Sequence, residues 1–303
     1  GFEFPADFIS EGIDHTHGWF YVLLAVSTAL GFGPSFKNVV VLGLILDEKG
    51  EKMSKSKGNV VDPKIILDKY GADSLRWYLY TTNAPSEFKK FSEADLVASQ
   101  RRFLNIFWNV YKFYDTYALK TEKWSQSTVM KNYKKLGLLD KWILSRLMNT
   151  KREFLRAMDN YDSYKASQLL DSFVNDLSRW YLRRSRKRLQ NKENQKDIKI
   201  ISGVLGWTLK EFSILLASFC PFISEMVWLG LRNNKDAKSV HLVYIEKPIT
   251  QFTNKKLEKE MEIIRDLSAQ ILKLRQENNI KVRQPLNSVT LKNKIKIQKD
   301  LWN

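Results

Sequence analysis

Apolar positions in the first eighty residues come in runs rather than stripes. Residues 6–10 read as a short apolar strand, residues 18–30 as an apolar segment of helical length, and residues 38–46 as a β-branched run, with Gly31-Phe32-Gly33-Pro34 turning the chain after the helix. Strand, helix and strand with a crossover of that length predict a parallel pair, half of a doubly wound sheet. Open parallel sheets bind ligands beyond the carboxyl ends of their strands. Glu11-Gly12-Ile13-Asp14 and the lysine-rich stretch after residue 46 both follow such ends and are expected to face one cleft.

Beyond Asp62-Pro63 the period becomes helical. One helix runs to Tyr70, Gly71 breaks it, and residues 72–80 are helical again. Residues 81–91, with Pro85 and two lysines, read as the linker between domains, and Ser92 with Asp95 reads as a capping box. Phe103, Ile106, Phe107, Val110, Phe113, Tyr114 and Tyr117 recur by threes and fours, which predicts a core stripe. Residues 120–135 read as a polar loop. Ile143, Leu147, Phe154 and Met158 mark a second long helix, and Leu170, Phe173, Leu177 and Trp180 a third. Residues 204–219 are apolar all round, so this helix should be the buried member, and Pro221 stops it and starts a fifth through Trp228 and Leu231. Long helices with short connections predict an α-bundle. From Val240 the pattern suggests a short strand, a charged helix at about 254–278 with Ile264, Leu267, Ile271 and Leu274 inward, and an extended run at 280–297. The expected fold class is therefore α/β followed by all-α: 1–80, a helical bundle at 92–235, and a small α/β appendage at 240–303.

Composition adds a partner to this picture. The chain of 303 residues carries a formal net charge of +17, more than solubility requires, and a polyanion is the economical explanation: tRNA, other RNA, DNA or an acidic membrane. A single cysteine, Cys220, excludes an internal disulfide and a Cys-rich zinc site, which suits a reducing compartment. No signal peptide opens the sequence and no apolar run reaches the eighteen or so residues of a membrane span; a cytoplasmic monomer is expected. The abrupt start, straight into a strand without Met, reads as the interior of a longer protein. There is no Walker-type phosphate loop.

Two stretches carry candidate chemistry. Lys52-Met53-Ser54-Lys55-Ser56 lies in LILDEKGEKMSKSKGNVVDP at 44–63, where Lys49, Lys52, Lys55 and Lys57 are bracketed by Gly50 and Gly58. Ammonium groups three residues apart, with hydroxyls beside them, can surround a phosphate, and a solvated basic hairpin fits the same letters. The second stretch is the end of the third helix, Arg183-Arg184-Ser185-Arg186-Lys187-Arg188, with five cations in six residues. Attraction to a helix C-terminus, about 0.3–1 kcal/mol each, explains one or two of them; the rest either pair with carboxylates or project toward an anion. His15 and His17 form a His-x-His pair without an evident third metal ligand, and no metal site is expected.

KMSKS resembles the second signature of class I aminoacyl-tRNA synthetases, and its flanks are similar to the isoleucyl type. FPADFISEGIDHTHGWFYVLLAVSTAL resembles the adenylate-binding segment of that family, and YGADSLRWYL, WYLRRSRKRL and NIKVRQPL resemble its later segments in the same order. The resemblance implies the second half of a Rossmann-like catalytic domain followed by an anticodon-binding helical bundle. It further implies ATP with Mg2+, L-isoleucine and tRNA as ligands, with no membrane partner. By the same resemblance Lys55 meets ATP and Glu11 holds the aminoacyl-adenylate; Lys52 is expected to be catalytic with Lys55, Ser54 and Ser56 to meet ATP, Asp14 and His15 to join Glu11 at the adenylate, and Arg183, Arg184, Lys187 and Arg188, by their charge, to meet tRNA. Where the family reads Asp-Gln-Thr-Arg-Gly-Trp, this chain has Asp14-His15-Thr16-His17-Gly18-Trp19, and the other class I signature, His-Ile-Gly-His, is missing. The chain alone would then bind tRNA without activating an amino acid. A valyl- or leucyl-type synthetase and a non-catalytic RNA-binding module remain alternatives.

Overall fold

The structure, a computed structural model, describes residues 4–191, 193–288 and 290. β1 (Ile9–Gly12) runs parallel to β2 (Val39–Leu42), with Glu11 opposite Val41, and α1 (Trp19–Ala29) makes the crossover. The strand begins later than its apolar letters suggest, because Ala6 makes only an isolated bridge to Phe36. Helix α1 buries only Phe20 and Ser27 and leaves Tyr21, Val22 and Val26 exposed.

The β-branched run at 38–46 is not one strand. After β2 the chain passes the backbone of Glu87 at Gly43, where an added Cβ would lie 2.2 Å from the Glu87 carbonyl oxygen. β3 (Ile45–Leu46) then pairs in parallel with β4 (Lys89–Lys90). Residues 81–91, expected as the linker between domains, are also tied to the sheet region: the Gly43 N–H donates to the Pro85 carbonyl at 2.8 Å and the Lys89 N–H to the Leu44 carbonyl at 2.9 Å. Two residues of strand are too short to show a period.

α2 (Pro63–Tyr70) starts where Asp62 accepts the Lys64 N–H at 2.8 Å and Pro63 fills the first turn. Gly71, at φ +80°, turns the chain into α3 (Ala72–Thr81). Helix α3 faces two cores. Trp77 stacks on Phe103, with ring centroids 3.6 Å apart, in the large core of the bundle. Its neighbour Tyr78 joins Ile66, Phe91 and Leu96 in a smaller core, against which Met53 packs.

The Ser92 hydroxyl accepts the Asp95 N–H at 3.4 Å and opens α4 (Glu93–Arg102), while the Ser92 N–H goes to the Tyr78 hydroxyl rather than to Asp95. In α5 (Leu104–Tyr117) the stripe buries Phe107, Val110 and Tyr114, with Phe103 just before it, and leaves Tyr117 exposed. Residues 120–135 are not a polar loop. They contain α6 (Gln126–Asn132), and Trp124 and Val129 enter the core. Two apolar anchors five residues apart among polar ones give no readable period.

α7 (Leu138–Asp159) is followed by α8 (Ser163–Asn175), which continues through a π-helical segment (Asp176–Leu182) into α9 (Arg183–Gln190). α10 (Gln195–Leu216) is the buried member its apolar circumference predicts, and α11 (Pro221–Leu231) follows with Pro221 in its first turn. The strand expected at Val240 is a single 3-10 turn (Val240–Leu242), held by the Ser239 hydroxyl and the Val240 N–H on the Glu225 carboxylate at 3.0 and 2.8 Å. Among the described residues no strand follows Lys90, so the appendage shows no sheet. α12 (Lys255–Glu277) is docked by Arg265 on the buried Asp176 and by Glu258 on Arg146 of α7. Leu274, expected inward, is 57% exposed. Of the extended run expected at 280–297, residues 289 and 291–297 lie outside the described residues. No described helix is long and apolar enough to cross a membrane.

Candidate functional site

The lysine loop begins as a tight reversal after β3. The Asp47 carboxylate accepts the backbone N–H groups of Lys49 and Glu51 at 3.0 and 2.8 Å, and Gly50 takes the left-handed conformation at φ +87°. The loop then closes on Asn59. Its amide nitrogen donates to Asp47 at 2.8 Å and to the Lys52 carbonyl at 3.3 Å, and its amide oxygen accepts the Ser54 N–H at 2.9 Å. Hydrogen bonds from Asn59 and then the Glu51 N–H hold the Asp47 carboxyl below its ordinary range.

Inside this frame, Ser54 caps a single 3-10 turn (Lys55–Lys57) by accepting the Lys57 N–H at 3.3 Å, and its hydroxyl lies 3.2 Å from that of Ser56. Met53 anchors the loop to the small core. Lys57 pairs with Glu51 at 3.2 Å. Lys52 and Lys55 are exposed, and among the described residues neither has an ion-pair partner. Within the signature two ammonium groups are thus without an ion pair among the described residues, and Lys49 at the start of the loop is a third, a geometry suited to an incoming polyanion.

Glu11 sits at the carboxyl end of β1, and Asp14 and His15 lie on the 3-10 turn (Ile13–Thr16) that follows. All three are exposed. The Thr16 hydroxyl fixes the turn on the Ile13 carbonyl at 2.8 Å, and the His15 ring lies 6.2 Å from that of Phe20. The structure thus gathers Lys52, Ser54, Lys55 and Ser56 in one loop and Glu11, Asp14 and His15 at one strand end. No hydrogen bond or ion pair joins the two groups among the described residues. A cleft of about 500 Å³ between the β1–β2 sheet and the bundle, lined by Phe8, Val40, Leu42, Arg76, Tyr80 and Tyr161, contains none of these residues.

The cation-rich helix end divides. Arg183, Arg184 and Lys187 are exposed, as is Arg186. Arg184 lies over the Trp180 ring at 4.0 Å, and burial, then the neighbouring Arg183 charge, lowers its pKa. Arg188, grouped with them on sequence, turns inward to Asp140 and Asp197. Burial opposes its charge, but bonds to these two carboxylates outweigh that and push its pKa up. Trp180, Arg184 and Arg188 also border a groove of about 960 Å³ whose far wall is Ile264, Leu267 and Ile271 of α12.

Sequence reasoning missed Asp47 and Asn59, although Asp47-Glu48-Lys49-Gly50, just before the signature, is a turn signal and Asn just after Gly58 is a usual loop-closing residue. It also missed Arg265, which shares the Trp180 ring with Arg184 at 5.5 Å and comes from a helix eighty residues away.

Comparison with known proteins bears on this arrangement. Residues 140–291 match the family model described as the anticodon-binding domain of tRNA ligase, and residues 1–90 match that of class I tRNA synthetases for I, L, M and V. An isoleucine–tRNA ligase from Dehalococcoides mccartyi is 40% identical over 294 residues, which cover 94% of this chain and 28% of that protein. The chain therefore spans under a third of this curated relative. Among solved structures, the LeuRS–tRNA–LeuAMS ternary complex from Agrobacterium radiobacter is similar at TM-score 0.63 and 21% identity, over 82% of this chain and 29% of that one. A Mycobacterium tuberculosis methionyl-tRNA synthetase in complex with methionyl-adenylate is similar at TM-score 0.58 and 18% identity, over 74% of this chain and 43% of that one.

Proposed function

The chain belongs to the class I tRNA synthetases and carries their anticodon-binding domain, and on that premise we propose that it serves the ATP-dependent joining of isoleucine to tRNA through an aminoacyl-adenylate. The observation that carries this reading is the pair of exposed, unpaired lysines on the braced loop. Lys52 and Lys55 meet the phosphates of ATP, and Lys55 stabilises the charge that develops as pyrophosphate departs, with the Ser54 and Ser56 hydroxyls beside it. Mg2+ would arrive bound to the ATP phosphates. Glu11 accepts hydrogen bonds from the adenylate, Asp14 faces the amino group, and His15 stands beside them. Isoleucine is favoured over valine and leucine by the isoleucine–tRNA ligase named above. The exposed Arg183, Arg184 and Lys187 give the bundle a phosphate-binding edge for tRNA.

Lys55→Ala in the full-length protein tests the reading. ATP–pyrophosphate exchange should slow by roughly 10²- to 10³-fold, the usual loss for one preorganised charge-stabilising donor, with isoleucine binding little changed. An unchanged exchange rate would overturn it. A purely RNA-binding module gives the free lysines no role, and retained tRNA binding with no exchange activity in the parent protein would favour that alternative.

A further inference from the structure

We propose that Asn59, acting through Asp47, is the positioning residue that presents Lys52 and Lys55 to the phosphates of ATP. The inference rests on the ATP reading above and concerns a different part of the loop. Asn59 lies outside the five signature letters, yet its one side chain holds three points of the frame. It accepts the Ser54 N–H at 2.9 Å, donates to the Lys52 carbonyl at 3.3 Å and donates to Asp47 at 2.8 Å. Both residues it touches in the signature are backbone neighbours of the acting groups: the Lys52 carbonyl belongs to one free lysine, and the Ser54 N–H directly precedes the other. Asp47, the third point, is itself fixed by the Lys49 and Glu51 N–H groups. The arrangement is a side-chain strut across a loop flanked by two left-handed glycines, Gly50 and Gly58. Without it those glycines leave the lysines free to wander over many conformations.

The Glu51–Lys57 pair completes the arrangement. It pairs the one other lysine on the 3-10 turn, so within the signature and its turn the unpaired charge is that of Lys52 and Lys55. Since the polar atoms of the strut are engaged within the loop itself, its removal should cost catalysis through misplacement of the ammonium groups. Displacement by about 1 Å can cost as much as 10²-fold in rate.

The test measures ATP–pyrophosphate exchange in the full-length protein, with the KM for ATP and for isoleucine determined separately. Asn59→Ala and Asp47→Asn should each lower kcat/KM for ATP by roughly 10- to 100-fold and leave the KM for isoleucine within twofold. The double variant Asn59→Asp with Asp47→Asn reverses the donor and acceptor of the strut. The carboxylate then at position 59 would still accept the Ser54 N–H, and the amide at position 47 would supply the donor between the two side chains, but the Lys52 carbonyl would lose its donor, so activity with ATP should rise above that of either single variant without reaching the parent. Exchange unaffected by Asn59→Ala while Lys55→Ala is crippled would overturn the inference and leave the ATP site standing. A double variant no better than the singles, or an isoleucine KM that rises in step with that for ATP, would also overturn it. If Lys55→Ala itself has no effect, the ATP reading fails first.

Discussion

Arg188 grips Asp140 through two parallel bonds, Nη1 to Oδ1 and Nη2 to Oδ2, each 2.9 Å long. The Asp140 side chain is 0% exposed and also accepts the Tyr181 hydroxyl at 2.7 Å, while the guanidinium turns its other edge to Asp197. Asp140 belongs to α7 and Asp197 to α10, so this one side chain ties the end of α9 to both. Arg188→Met leaves a buried carboxylate without its cation and should lower unfolding stability by about 3–5 kcal/mol. Adding Asp140→Asn should recover much of the loss, because the buried charge goes with it. Urea titration of the parent, single and double variants checks this, and a single variant as stable as the parent would refute it.

With Arg188 committed to the fold, tRNA should be felt by its exposed neighbours. Charge reversal at Arg183 and Arg184 should weaken tRNA binding and reduce the dependence of log K on log salt by about one for each phosphate no longer neutralised. Reversal at Lys131 and Lys134, exposed on and just after α6, should do less. Filter binding across a salt series compares the two pairs; equal losses would mean that net charge, rather than the shaped helix end, governs binding.

The division of the arginine cluster marks where sequence reading stops. The bundle was legible because its apolar letters keep a helical period over eight residues or more, the parallel pair because two apolar runs flank a segment of helical length, and the lysine loop because its spelling is distinctive. Arg184 and Arg188 were indistinguishable, since what separates them is Asp140, forty-eight residues earlier, and no local pattern connects the two. The same holds for the α6 region, where Trp124 just before the helix fits against Gly203 of α10, and for β4, whose two residues exist as a strand only because β3 lies beside them. Asn59 was overlooked for a different reason. A polar residue in a polar loop carries no periodic signal, and its role appears only when both ends of the loop are placed together.

Gly43 shows what such long-range fits demand. An added Cβ there would sit 2.2 Å from the Glu87 carbonyl oxygen and 2.4 Å from its carbon, both backbone atoms that cannot swing aside. Gly43→Ala should therefore push residues 85–87 away, weaken the Gly43 N–H bond to Pro85 and cost about 1–3 kcal/mol, the usual range for overpacking. Gly12→Ala is the matched control, since nothing lies within 4 Å of its Cβ position and its φ is −63°. Thermal unfolding should separate the two, and equal melting temperatures would show that the 85–87 segment yields freely.

Tyr114 should set part of the alkaline limit of the bundle. Its ring is buried against α10, where it is close enough to Gly206 that an added Cβ would meet its hydroxyl at 2.7 Å. Burial, aided by Tyr111 and the nearby carboxylates, pushes its pKa up from 10.0 to about 12. The folded state thus favours the neutral phenol, and this contribution is complete below pH 10. It is lost as pH rises from 10 through about 12, where the unfolded chain ionises first. The shift corresponds to roughly 2–3 kcal/mol. Tyr114→Phe keeps the ring and removes the ionisation, so the variant should lose less stability than the parent between pH 9 and 12. Tyrosinate absorbance should meanwhile show one fewer late-titrating phenol. Parallel stability curves for the two proteins across that interval would mean that the hydroxyl reaches solvent and that other buried tyrosines, Tyr181 among them, carry the alkaline transition.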